Sequence, residues 1–142
     1  MTDDDVRQPR RAGLSEGILV NIEDVRPLTL DAAQGWRIAD FRLPIGRHNG
    51  SANALFWAKL APGDVHGRHR YDRCEVLYYV IRGRGVVGAG DARCDVRGGH
   101  VHFVGRGVEH FMVNTSATET LEVIGVYTGA GSLEETGYVM VG

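Results

Sequence analysis

From residue 17 onward, short apolar and β-branched runs alternate with glycine, proline and aspartate. The runs are GILVNI (17–22), WRIADFRL (36–43), ALFWAKL (54–60), EVLYYVI (75–81), GVVGAG (85–90), ARCDV (92–96), HVHFV (100–104), HFMVN (110–114), LEVIGVY (121–127) and YVMV (138–141). Short runs of this composition bounded by turn formers predict strands. No stretch carries a convincing amphipathic-helix period, although DAAQG (31–35) has room for one helical turn. Gly90-Asp91, lying between two runs, predicts a hairpin turn. This pattern predicts an all-β fold, a sandwich or barrel, in a single domain over residues 15–142. Residues 1–14 carry Asp3, Asp4, Asp5, Arg7, Arg10 and Arg11, too polar to offset ordering by burial, and predict a mobile tail.

Composition narrows the functional classes. The chain has 142 residues, 43% apolar and 24% charged, enough to bury a core without disulfides. Its net charge is -2, and its 16 basic residues, all arginine except Lys59, are scattered. Nucleic-acid binding needs a basic face, so no such partner is expected. No apolar run approaches a membrane span, and MTDDDVRQPRRAG lacks a hydrophobic signal core. A cytoplasmic protein without membrane association is the expectation. Cys74 and Cys94 form no CxxC and read as ordinary thiols. The 20 glycines, roughly twice the usual share, sit between runs where tight turns are needed.

The histidines carry the chemistry. Three of the six, His66, His69 and His110, fall in PGDVHGRHRYDRCEVLYYVIRGRG (62–85) and GHVHFVGRGVEHFMVN (99–114). These segments resemble the two motifs of the cupin superfamily, G-x5-H-x-H-x3,4-E-x6-G and G-x5-P-x-G-x2-H-x3-N. The second is nearly complete: Gly99, Gly105 in the proline place, Gly107, His110 and Asn114. The first is partial. Gly63 and His69 keep their places, and Tyr71 stands where the second histidine would be. Seven residues rather than six separate Glu75 from Gly83, which puts Val76 in the glutamate's place. A one-residue shift turns a strand side chain to the other face, so Glu75 becomes a ligand only if a bulge restores the register.

The resemblance implies a cupin barrel, the double-stranded β-helix or jelly roll, with a divalent metal held by His66, His69 and His110. HGRH is expected at a loop-to-strand entry, where a turn could join the two imidazoles. His102 is the chosen fourth ligand; Glu75, His48 and His100 are the alternatives. Asn114 is expected to cap a turn, and Glu134 and Glu135 to be solvated charges. An all-histidine set favours zinc, with iron, nickel or manganese also compatible. Such an ion is a Lewis acid suited to enolates. With an aromatic wall drawn from Phe56, Trp57, Leu77, Tyr78, Tyr79, Phe111 and Met112, the site suits a hydrophobic small molecule.

Within the superfamily this picture resembles the small metal-dependent polyketide cyclases of actinobacteria, with metal-bound water or Tyr71 moving the proton from the attacking carbon during aldol-type ring closure. An iron or manganese dioxygenase using Glu75, and a non-catalytic ligand-binding cupin, are the alternatives. The resemblance also implies a homodimer, with GILVNI and YVMVG adding strands across a two-fold interface.

Overall fold

The computed structural model describes residues 17–142; the tail expected over 1–14 lies outside the described residues. Among the described residues there are eleven strands: β1 (Trp36–Arg37), β2 (Asp40–Ile45), β3 (Ala54–Leu60), β4 (Val65–Tyr71), β5 (Glu75–Arg82), β6 (Arg84–Ala89), β7 (Ala92–Arg97), β8 (Val101–Val104), β9 (His110–Val113), β10 (Leu121–Thr128) and β11 (Tyr138–Met140). They form two antiparallel sheets. One runs β1-β4-β9-β6-β7, with β11 also paired to β4, and the other runs β2-β3-β10-β5-β8. The remaining regular structure among the described residues is four single turns of 3-10 helix. The all-β jelly-roll expectation is therefore met.

Alternation places the core. In β10, Leu121, Val123 and Tyr127 are buried while Glu122, Ile124 and Val126 lie on the other face. In β5, Val76, Tyr78 and Val80 point inward and Leu77, Tyr79 and Ile81 point out. With β3 they pack a continuous core between the sheets, of which Trp36 and Phe41 are also part. The Gly90-Asp91 hairpin forms as expected, with Ala89 opposite Ala92 and Gly90 at φ 56°. DAAQG supplies one 3-10 turn, capped by the Asp31 carboxylate accepting from the Ala33 N–H.

Three local expectations need correction. GILVNI forms no strand; it runs without regular structure into a 3-10 turn at Ile22–Asp24. WRIADFRL breaks into β1 and β2, because the Ala39 N–H leaves the ladder for the Asp64 carboxylate. HGRH lies inside strand β4 rather than at its entry. Its alternation of polar residues carried no hydrophobic signal.

Candidate metal centre

β4 positions two of the histidines through an irregularity. His66 pairs with Met112 and His69 with His110 across β9, and the register shifts between these pairs. Residues three apart on a regular strand face opposite ways. Here the bulge turns both imidazoles inward, and their rings stack 3.6 Å apart with planes 16° from parallel. Trp36, paired with His66 across β1, covers the other side of the His66 ring at 4.0 Å. His110 approaches the His69 ring at 4.0 Å, tilted by 55°.

Hydrogen bonds orient the rings. His69 Nδ1 lies 2.6 Å from the Gly67 carbonyl and His110 Nδ1 lies 2.9 Å from the Val108 carbonyl. A carbonyl can only accept, so each Nδ1 carries the proton and each Nε2 keeps its lone pair. His66 Nε2 is buried with no hydrogen-bond partner among the described residues. Burial holds all three rings neutral. It lowers His66 well below the ordinary value of 6.5, with His69 and His110 adding to the effect. Burial likewise lowers His69 to about 3 and His110 to about 4.

The histidines line a mainly apolar cavity of about 40 Å³ with Phe41, Phe56, Tyr71, Tyr78, Met112 and Tyr127. Tyr71 is buried and shares a hydrogen bond of 3.1 Å with the Tyr127 hydroxyl. Burial, reinforced by Tyr127, raises its pKa well above 10 and keeps it a phenol. Tyr138 lies over the stack, 5.2 Å from the His69 ring, and its hydroxyl donates to the Gln34 carbonyl.

The other predicted positions lie elsewhere. His102, on β8, does not join the trio: its Nδ1 meets the Tyr78 hydroxyl at 2.5 Å. His100 is exposed and accepts from the Arg97 N–H, while His48 is exposed in the 3-10 turn Arg47–Asn49. Glu75 faces solvent at the start of β5 and Val76 takes the inward place, so no bulge restores the carboxylate. Of the proposed aromatic wall, Phe56, Tyr78, Phe111 and Met112 line the cavity. Trp57 faces outward, donating to Glu122, and Phe111 lies beneath Arg68 and Arg93. Glu135 is not simply solvated; it pairs with Arg47 at 2.8 Å. Trp36, Tyr127 and Tyr138 were missed, since each reaches the site through long-range pairing and none sits in a motif.

A family model described as a cupin domain matches residues 56–127. The chain belongs to the cupin family. No match was found among curated protein sequences. Among solved structures, this cupin resembles a predicted oxalate decarboxylase from Thermotoga maritima, with a TM-score of 0.65, 21% identity and coverage of 78% of this chain and 98% of the other. An oxalate oxidase complexed with the substrate analogue glycolate gives 0.63 at 17% identity, covering 82% of this chain but only 60% of the oxidase. A double-stranded β-helix protein from Klebsiella pneumoniae gives 0.62 at 13%, covering 82% and 99%. These are likenesses of fold.

The trio fits a divalent metal in donor type and protonation: three neutral imidazoles, two with Nε2 freed by backbone bonds and one with a buried, unpartnered Nε2. Its arrangement is not yet a ligand set. Among the described residues no three His, Cys, Asp or Glu side chains converge on one point. An imidazole lone pair lies in its ring plane, and the near-parallel stacked planes of His66 and His69 do not meet at a bonding distance of about 2 Å. The tilted pair, His69 and His110, has no such obstacle. Coordination by all three requires the His66 ring to turn out from between Trp36 and His69.

Proposed function

We propose that this cupin is a metal-dependent enzyme whose His66, His69 and His110 hold one divalent ion, zinc before iron, nickel or manganese, and which acts on a hydrophobic carbonyl compound. The observation that carries this is a neutral, all-imidazole cluster at an apolar cavity, with Glu75 facing away from it. When bound, such an ion supplies Lewis-acid polarisation of a carbonyl and stabilises the enolate formed from it.

The finer reading is aldol-type ring closure of a polyketide, supported by the apolar wall and by Tyr71. Carbon–carbon bond formation consumes one carbonyl and leaves an alkoxide oxygen that needs a proton. Tyr71, kept protonated by burial, is the acid that gives it, and Tyr127 holds the hydroxyl in place. The proton lost from the enolising carbon passes to water, from which Tyr71 is restored. The apolar walls exclude bulk water and align the reacting carbons, the larger source of rate.

Elemental analysis of untagged protein, repeated on Glu75→Gln, His69→Ala and His110→Ala, tests the reading. About one zinc or nickel per chain, kept in the glutamine variant and lost in both alanine variants, is expected. Metal retained at full occupancy in His69→Ala and His110→Ala refutes it. Iron or manganese that depends on Glu75, with oxygen uptake, replaces it with a dioxygenase; no metal in any preparation leaves a binding protein.

A further inference from the structure

The histidine cavity, at about 40 Å³, has the volume of a few waters, enough for the reacting end of a ketide beside Tyr71 and not for the rest of the chain. Beside it lies a larger space. The edge strands β7 and β8 belong to different sheets and do not pair with each other. The groove there measures about 390 Å³ and is lined by Val87, Ala89, Ala92, Cys94, Val96 and His102. It abuts the histidine centre, because Ala89 pairs with His110 and Val87 with Met112 across β6 and β9.

One polar group divides the two spaces. Tyr78 lines the cavity and pairs across the ladder with His102, which lines the groove. The Tyr78 hydroxyl is nearly buried, and His102 Nδ1 is its hydrogen-bond partner among the described residues. A phenol in apolar surroundings donates to the acceptor it has, which puts the His102 proton on Nε2. No described residue takes that N–H, and the half-buried ring presents it to the groove as a donor. The small side chains of Ala89 and Ala92 leave the walls close to flat, with Asp95 and His100 adding polar atoms.

We propose that the groove between β7 and β8 binds a flat, largely apolar molecule carrying a carbonyl or carboxylate oxygen, which accepts from His102 Nε2–H. The site extends the proposed substrate pocket and rests on that reading only for what happens at its inner end; binding itself needs none of the three metal-binding histidines. The groove carries its own reporter. Cys94 is an exposed free thiol on its wall, while Cys74 is buried and serves as the internal control.

The experiment follows iodoacetamide labelling of Cys94 by peptide mass analysis, in chelator-treated full-length protein, with 2-naphthoate as probe and 2-methylnaphthalene as its analogue without the acceptor. At about ten times its Kd, naphthoate slows labelling about tenfold by mass action, and the methyl analogue protects less at equal concentration. Ala92→Trp, which fills the groove, abolishes protection. Ala89→Met weakens it, and His102→Leu reduces naphthoate to the level of the methyl analogue. Labelling unchanged by saturating naphthoate, or protection intact in Ala92→Trp, overturns the proposal. Metal content measured on untreated protein reports separately on the histidine centre, so one reading can fail while the other stands.

Discussion

His66 and His69 stand face to face, ring centroids 3.6 Å apart, although the plain alternation of a strand would point them to opposite sides. The bulge in β4 costs ladder pairing there and is compensated by a continuous aromatic column, Trp36 on His66 on His69. A protonated ring in that column would be an unpaired buried cation, a species several kcal/mol worse than the neutral ring.

Stability therefore depends on pH in a definite direction. In the fold His69 and His110 titrate near 3 and 4, and in the unfolded chain near 6.5. Above 6.5 the contribution is complete. Below it the unfolded chain binds more protons, and stability falls as pH drops towards the folded values. Each histidine adds a slope of up to about 1.4 kcal/mol per pH unit. Urea midpoints of chelator-treated protein should fall steeply between about pH 7 and about pH 5, and less steeply in His69→Gln. A midpoint flat across that interval means that the imidazoles are solvated or paired in the folded protein.

Asn114 ties the end of β9 to two other segments. Its side-chain amide donates to the Leu60 and Glu119 carbonyls and its oxygen accepts from the Ser116 N–H, all buried or nearly so. Asn114→Ala leaves these groups without their partner and should cost about 2–3 kcal/mol. Asn114→Asp keeps the acceptor and loses both donors, so it should also destabilise. Urea unfolding of the two variants checks this. A loss under about 1 kcal/mol in the alanine variant would show that water replaces the side chain.

The outer face of the second sheet bears on assembly. The strand-addition dimer expected from residues 17–22 and 138–141 would have to form without a preformed strand at 17–22 and on the second edge of β11, whose first edge is hydrogen-bonded to this chain's own β4. Leu77, Tyr79, Ile81, Val101 and Phe103 are instead exposed together on β5 and β8. β5 is thus apolar on both faces, as in strands covered on both sides. The patch carries no charge, so it complements itself about a two-fold axis, and a second copy of the chain is its proposed occupant. Sedimentation equilibrium should give a dimer, and Phe103→Glu with Tyr79→Glu should give a folded monomer. A wild-type monomer throughout the micromolar range removes the proposal.

Much of the architecture was legible in the order of residues. Alternation in β5 and β10 assigned the core face, Gly90-Asp91 assigned a hairpin, and the Gly107-to-Asn114 spacing singled out His110 and a structural asparagine. The shift of Glu75 relative to Gly83 correctly turned the carboxylate outward, because strand periodicity is a local property. GILVNI failed by the same measure: an apolar run becomes a strand only when a neighbour offers it a ladder, and none does among the described residues.

Sequence by itself settled which residues alternate, where the chain turns, and that two histidine-bearing motifs of one family are present. Tertiary structure alone decided which imidazoles meet. The β4 bulge exists through pairing with β9, Trp36 reaches His66 through pairing between β1 and β4, and His102 meets Tyr78 through pairing of β8 with β5. Each of those contacts joins segments distant in the chain. Spacing along a strand determines the side a residue faces, but only the partner strand determines what it faces.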